Sequence, residues 1–432
     1  MRDIFIFTAI ICIVFATLRK PQIGILGWLW LSVMNPHKES FGWIYTMPIL
    51  DIIAGATLIS VVINFKQAKK ALFHPVAVIM LIFYLLTCLS TVFSISHDLS
   101  FDKWLDHTKN MLFVLFMLLF LNSRHWIIAG LWTFIFSVGF TGVKGGISTI
   151  LTGGGARIWG APNTLWGDNN GVSLAMLMVV PLMFAMSHLF EKKIFRVGVY
   201  GGSFLSFITI LGTQSRGGLV GIIGSTLLLF VRTKHKVLIG TLIVIGGISV
   251  LAFMPESWKS RMQTIQTYEE DSSASTRILQ WKYAVQLATE SPIIGNGFHA
   301  RFYQPYYQKY LAGLDENRSA HSIYFQILEE QGYLGIFLFL LLMTTAIVSA
   351  QKVAKEAEGR EDLKWAAALL SYSQISIAGF AFNGLTINVA YIDLYYYILA
   401  FIVLLISHIK MELAKPMDEI SPPETAQEPT RT

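Results

Sequence analysis

Cysteine is nearly absent. Only Cys12 and Cys88 occur in 432 residues, both inside apolar runs. That excludes a disulfide framework and a thiolate metal cluster, and leaves two small buried hydrophobes. Charge is scarce as well: 14% of residues are charged against 54% hydrophobic, where a soluble domain carries about 25% charge. With a mean hydropathy of +0.55, this balance excludes a soluble globular chain and describes a polytopic membrane protein. The net charge of +6 comes without a basic cluster. Lys and Arg are scattered through short segments between apolar runs, a pattern of membrane topology, so membrane lipids are expected as partners and nucleic acid is not. No repeat period runs through the chain, and Gly153-Gly154-Gly155 lacks the following lysine of a phosphate cradle. No cleavable leader is expected, because the first apolar run leads straight through Arg19-Lys20 into a second.

Long apolar sequence is what the chain does contain. Stretches fall at about 3–18, 22–35, 48–64, 75–94, 108–122, 125–143, 170–189, 197–213, 217–231, 237–253, 334–351, 365–384 and 391–408. A bilayer-crossing helix needs roughly 20 mostly apolar residues, so an all-α polytopic fold with about 12–13 transmembrane helices is expected, the first two stretches forming an imperfect pair. Basic residues recur in every second connection (Arg19-Lys20, Lys66, Arg124, Lys192-Lys193, Arg232, Lys352, Lys410), which places those connections in the cytoplasm and the alternate ones, around 36–47, 95–107, 144–169, 254–320 and 385–390, outside. The predicted organisation is a membrane bundle over 1–253, an external lid over 254–320, C-terminal spans over 321–410, and a disordered cytoplasmic tail over 411–432.

The lid balances acidic against basic residues and carries Trp258, Trp281, Phe298, Phe302 and tyrosines from Tyr283 to Tyr310, too aromatic for a disordered linker. Ser275-Thr276 reads as the cap of an amphipathic helix running to about Thr289, with Ile278, Trp281, Val285 and Ala288 on one face. Ser291-Pro292 ends it, and a second aromatic helix over about 298–312 follows. The whole reads as a large external loop of amphipathic helices lying on the membrane face.

Polar candidates converge on that side. Thr213-Gln214-Ser215-Arg216-Gly217-Gly218 joins two apolar runs through a tight turn, and an arginine wedged between spans needs a partner. The planar guanidinium suits a phosphate, while snorkelling to lipid headgroups is the plainer reading of Arg216. Arg277, just after Ser275-Thr276, sits where a helix N-terminus and a guanidinium would both face an anion, or is a solvated residue on a polar face. His321-Ser322 opens the next apolar region; histidine exchanges protons near neutrality, or simply caps a helix here. Glu329 and Glu330, two turns on, would orient an acceptor, pair with an arginine, or stay solvated. Asp168 and Asn170, in Trp166-Gly167-Asp168-Asn169-Asn170-Gly171, cap the seventh run or line a sugar site. Asp393 interrupts the last apolar run and is a functional suspect without a named partner. No Asp-x-Asp or close His cluster stands in an external connection, so no metal or cofactor is expected. Two arginines, a histidine and an aromatic vestibule together suit a lipid-diphosphate-linked sugar donor: cations for the diphosphate, rings for sugar or lipid, and a base for a hydroxyl.

These residues resemble the O-antigen ligase and polymerase superfamily of bacterial inner-membrane glycosyltransferases. His321-Ser322, nine residues, then Gly332-Tyr333-Leu334-Gly335 is similar to that family's His, Asn/Ser/Gln, nine residues, Gly-x-x-Gly motif. Thr213 to Gly218 resembles its Ser-Arg-Gly segment. Arg277, Trp281 and then Ser291-Pro292-Ile293-Ile294-Gly295-Asn296-Gly297-Phe298 resemble its Arg helix leading to a Pro-x-x-Gly-x-Gly turn, and Asp168 to Gly171 the Asn segment that opens a central span. The likeness covers about Asp168 to Gly335. It implies a multi-pass inner-membrane enzyme whose site faces the periplasm and which moves a glycan from undecaprenyl diphosphate to a lipid or protein acceptor without a metal. Arg216 and Arg277 would hold the diphosphate, His321 would act as the base, and Ser215, Ser322, Asn170, Asp168, Glu329 and Trp281 would line the substrates. The superfamily includes lipid A-core ligases, chain polymerases, protein O-glycosylation ligases and an exosortase-associated set. The even N-terminal spans and Arg157-Ile158-Trp159-Gly160 lean toward that last set. A chain polymerase and a lipid-linked glycan flippase are the competing readings; the flippase would need repeats and deep ionisable groups.

Overall fold

A computed structural model describes residues 2–68, 73–161, 164, 166–233, 235–256, 258, 272–311 and 319–415. Those residues form α-helices, short 3-10 turns and connections, with no strand among them. The expected tail beyond Lys415 and the lid segments 259–271 and 312–318 lie outside the described residues.

The N-terminal helices are α1 (Arg2–Arg19), α2 (Pro21–Met34), α3 (Ile49–Ile63), α4 (Pro75–Val92), α5 (His97–Phe120) and α6 (Arg124–Leu151). The middle ones are α7 (Asn169–Ala185), α8 (Lys193–Gly212), α9 (Arg216–Arg232) and α10 (Lys236–Phe253). Two lid helices follow, α11 (Ser272–Glu290) and α12 (Gln304–Leu311), and then α13 (Ile323–Glu356), α14 (Lys364–Asn383) and α15 (Asp393–Leu413). Their starts are written locally. Pro21 and Pro75 occupy first-turn positions, where proline's missing N–H costs no helical bond. Asp168 and Ser215 cap α7 and α9 through Gly171 N and Gly218 N at 2.7 and 3.1 Å.

Among the described residues, seven helices (α4, α6, α7, α8, α13, α14 and α15) are long and apolar enough to cross a membrane, while α2, α3, α9 and α10 offer shorter apolar stretches. Of the remaining stretches expected as spans, α1 and α5 are long enough but carry charged residues, while α2, α3 and α9 are short. A helix of 14 residues such as α2 rises only about 21 Å. The stretches 95–107 and 144–151, expected as external connections, are helical, because α5 begins at His97 and α6 runs to Leu151.

The centre of the bundle is α15. It is buried almost throughout, from Leu394 to Ile406, and packs against α4, α5, α6, α7, α13 and α14. Its apolar residues on every face are the signature of a fully enclosed helix. Cys12 points outward from α1 instead of inward, and Cys88 is half-buried, accepting a bond from Trp104 Nε1 at 3.4 Å.

The connections sort to two ends. At one end Arg124 lies over the Trp365 ring at 5.6 Å, and Arg360–Asp362 and Lys415–Glu412 pair at 2.8 Å. At the other end the α4–α5 connection meets the lid through Ile95 N to Asn296 O at 3.2 Å, and Gln214 Nε2 reaches Gly154 O at 3.1 Å. All the candidate site residues lie at this second end.

Candidate functional site

The lid is clasped to α13 by glycines. Gly332 has φ +69 and ψ −169, a region open essentially to glycine alone, and it kinks α13. Tyr333 N–H, which in an unbroken helix would bond Glu329 O, goes to Pro292 O at 2.8 Å. Glu329 O accepts instead from Asn296 Nδ2 at 3.2 Å, and Glu330 O from Gly297 N at 3.0 Å and Ser90 Oγ at 2.9 Å. The Pro292-to-Gly297 turn thus takes up the backbone groups that the kink redirects, as buried peptide groups require. Gly295 and Gly297 also have positive φ, 78 and 89. A Cβ on Gly295 would run into Glu330 O and the Gln331 backbone.

Beneath this clasp lies a buried ion pair. Arg301 and Glu329 are each 1% exposed and meet at 3.2 Å, and Arg301 also donates to Gln280 Oε1 at 3.2 Å. Tyr283 lies under the guanidinium, 5.6 Å from its ring centre, and donates to Arg301 O at 3.1 Å. Glu330 accepts from His299 N at 3.1 Å. Burial, then the nearby Lys103 charge, holds the His299 imidazole below its usual pKa. Burial, then Glu330, pushes the Tyr391 phenol well above its own. α11 turns one face toward the Arg301–Glu329 pair and toward Leu311. Gln280, Tyr283, Ala284, Leu287 and Ala288 are buried, whereas Ile278 and Val285, from the face expected to lie on the membrane, are exposed on the protein. The helix also starts by Ser272, so Ser275 and Thr276 lie within it and do not cap it, and Arg277 falls in its second turn. The second lid helix divides into a 3-10 turn over Ala300–Phe302 and α12.

The remaining candidates gather in two groups joined by one turn. In the first, Ser215 Oγ donates to Asn170 Oδ1 at 2.8 Å and Asn169 Nδ2 to Thr213 O at 3.0 Å, so Asp168, Asn170, Ser215 and the half-buried Arg216 stand together where α7 and α9 begin. In the second, Trp281 Nε1 donates to Ala320 O at 2.9 Å and its ring stacks on Phe325 at 5.0 Å and 10°. This lays α11 beside His321, and Arg277, one helical turn before Trp281, shares that side of α11. The link is the turn after α14. Gly217 abuts Thr386 and Asn383, and Ile323 N bonds Gly384 O at 2.8 Å. His321 itself is exposed with φ +47, a backbone state uncommon for a side-chain-bearing residue. Ser322 beside it is 1% exposed.

Glu329 stands apart from these groups, enclosed with Arg301. Asp393 is not deep in the last apolar run: it is the first residue of α15, half-buried at the same end as the site. Reading the sequence missed Arg301, Gln280, Asn383, Tyr391 and His107. An arginine directly after Gly-x-Gly-Phe-His-Ala, in a loop that docks on two adjacent glutamates, is the signal that was available for Arg301.

Residues 201–340 match the family described as O-antigen ligase, and residues 1–190 match a family of unknown function. No curated protein matches the chain.

Proposed function

Residues 201–340 match the O-antigen ligase family, and on that likeness we propose that the chain is a membrane glycosyltransferase of the ligase and polymerase superfamily, a ligase. It takes a glycan from an undecaprenyl-diphosphate carrier and transfers it to a lipid or protein acceptor at the periplasmic face of the bacterial inner membrane. The observation that supports the reading is the convergence of three segments: Gly217, next to Arg216, and Ile323, two residues after His321, both pack on the Asn383–Thr386 turn, and Trp281, one helical turn after Arg277, bonds Ala320 O beside His321. The acceptor hydroxyl attacks the anomeric carbon from the face opposite the diphosphate, and its proton passes to His321. The bond from that carbon to the diphosphate oxygen breaks with inversion. Undecaprenyl diphosphate leaves with its charge stabilised by Arg216 and Arg277. Ser215, Ser322, Asn170, Asp168 and Trp281 shape the surroundings of the two substrates, and Glu329 acts through the lid. An apolar groove of about 1340 Å³ along α6 and α8, with Lys144 among its lining residues, supports a long lipid chain on the donor, since α8 ends in the turn that carries Arg216.

The test is transfer by the purified full-length protein, given an undecaprenyl-diphosphate-linked oligosaccharide and candidate acceptors in chelator. Glycosylated acceptor and free undecaprenyl diphosphate in equal amounts are expected. Transfer only onto a second carrier-linked glycan makes the protein a chain polymerase, and movement of the donor across a bilayer without its consumption makes it a flippase.

A further inference from the structure

A cavity lined by charged, polar and aromatic residues stands at the same end of the bundle, between α2, α3, α5 and the start of α15. Its volume is about 580 Å³, within the range of small-molecule sites. Along α5, Lys103, Asp106, His107 and Asn110 all line it. Their spacing of three, four and seven residues puts them on one helical face, which runs from the exposed Asp106 to the buried His107 and forms one wall of the cavity. His107 is only 2% exposed, and neither ring nitrogen has a hydrogen-bond partner among the described residues. Its ring is held edge-on by Tyr391 at 5.1 Å and Tyr396 at 5.4 Å. A buried imidazole without partners is costly, and this one lines a cavity.

We propose that this cavity is a saccharide-binding site. A neutral imidazole presents one donor and one acceptor. Sugar hydroxyls serve both, a diphosphate serves only the donor, and a hydrocarbon serves neither. The charges argue the same way: the two ammonium groups of Lys103 and Lys109 face the three carboxylates of Asp51, Asp106 and Asp393, a lining without the net positive charge that a diphosphate would need. Trp28 and Tyr397 add aromatic surface for sugar rings. This also gives Asp393 a place. The segment after α14 connects the cavity with the candidate centre: Thr386 abuts Gly217, and Tyr391 lines the cavity. Those two residues are separated by at most about 18 Å of chain. The saccharide has two possible sources, the glycan of the donor and that of the acceptor, and that choice alone rests on the transfer reading above.

The probe is the labelled oligosaccharide released by mild acid from carrier-linked glycans of the source cells' membranes, titrated onto the full-length protein in micelles. Wild type binds it saturably. His107→Phe, which keeps the ring packing, and Asn110→Leu bind it at least tenfold more weakly while retaining the wild-type melting transition. Absence of binding by wild type, or wild-type binding by both folded variants, overturns the proposal. No transfer occurs in this assay, so it is independent of the ligase reading. In transfer assays the variants separate the two sources: a raised KM for the carrier-linked glycan assigns the cavity to the donor, and a raised KM for the acceptor assigns it to the acceptor.

Discussion

Two arginines at one end of the bundle have opposite surroundings. Arg301 is 1% exposed, paired with Glu329, bonded to Gln280 and laid over Tyr283. Arg216 is half-buried in the first turn of α9, beside a glycine that admits the Asn383–Thr386 turn. A guanidinium enclosed with a carboxylate is committed to holding the structure, because removing either partner strands a buried charge. One at a half-exposed helix start is placed to meet a ligand. Burial, more than residue type, separates the arginine that holds the lid from the one assigned to the diphosphate.

The sharpest way to break that contrast is to open the enclosed pair. Arg301→Ala or Glu329→Ala alone is expected to destabilise the fold by about 3–5 kcal/mol, read by denaturation in micelles, whereas Arg301→Met with Glu329→Leu recovers most of that loss. If the double variant is as unstable as either single one, the pair has another role. Next in size is Gly332→Ala, which forces alanine into a glycine-only conformation with its Cβ 2.7 Å from Pro292 O. A loss of about 1–3 kcal/mol is expected, with lid amides exchanging faster; an unchanged melting curve would show that the kink is not needed. Trp281→Ala removes one hydrogen bond and one stack, about 1–2 kcal/mol of lid docking. Hydrogen exchange should rise from Ala320 to Phe325 and not along α15.

The smallest effect is on pH. The His299 pKa is lowered from 6.5 in the folded state, so the unfolded chain binds more protons in acid. Its contribution therefore favours folding above about pH 6.5 and is lost as pH falls toward the folded value. His299→Asn should flatten the stability profile below pH 6.5, and an unaltered profile would place the acid sensitivity elsewhere.

How much of this could be read from the sequence depended on whether the signal was local. The all-α membrane fold follows from hydropathy. The cap Asp168 was readable because a cap is a property of one residue and its neighbours, and the glycines Gly295, Gly297 and Gly332 were marked by the motifs they stand in. That Glu329 or Glu330 would pair with an arginine was one of the readings the sequence allowed, but not that the arginine is Arg301, since the two partners belong to a loop and a helix distant in the chain. The periodicity of α11 shows an apolar face with Ile278 and Val285, which are exposed on the protein, but not the opposite face, where Gln280 and Tyr283 meet Arg301. The central position of α15 and the cavity wall that α5 presents with Lys103, His107 and Asn110 required the packing of distant helices. A hydropathy window sees only that one stretch is apolar and the other interrupted.

The most direct measurement compares wild type with His321→Ala, Arg216→Ala and Arg277→Ala, all purified, folded and given carrier-linked oligosaccharide and acceptor in chelator. Loss of the base should slow transfer by about 10²–10⁴-fold, and loss of either arginine by about 10²–10³-fold, each with a wild-type melting transition. Transfer at the wild-type rate by any of these folded variants would contradict the assignment of a centre built from two arginines and a histidine.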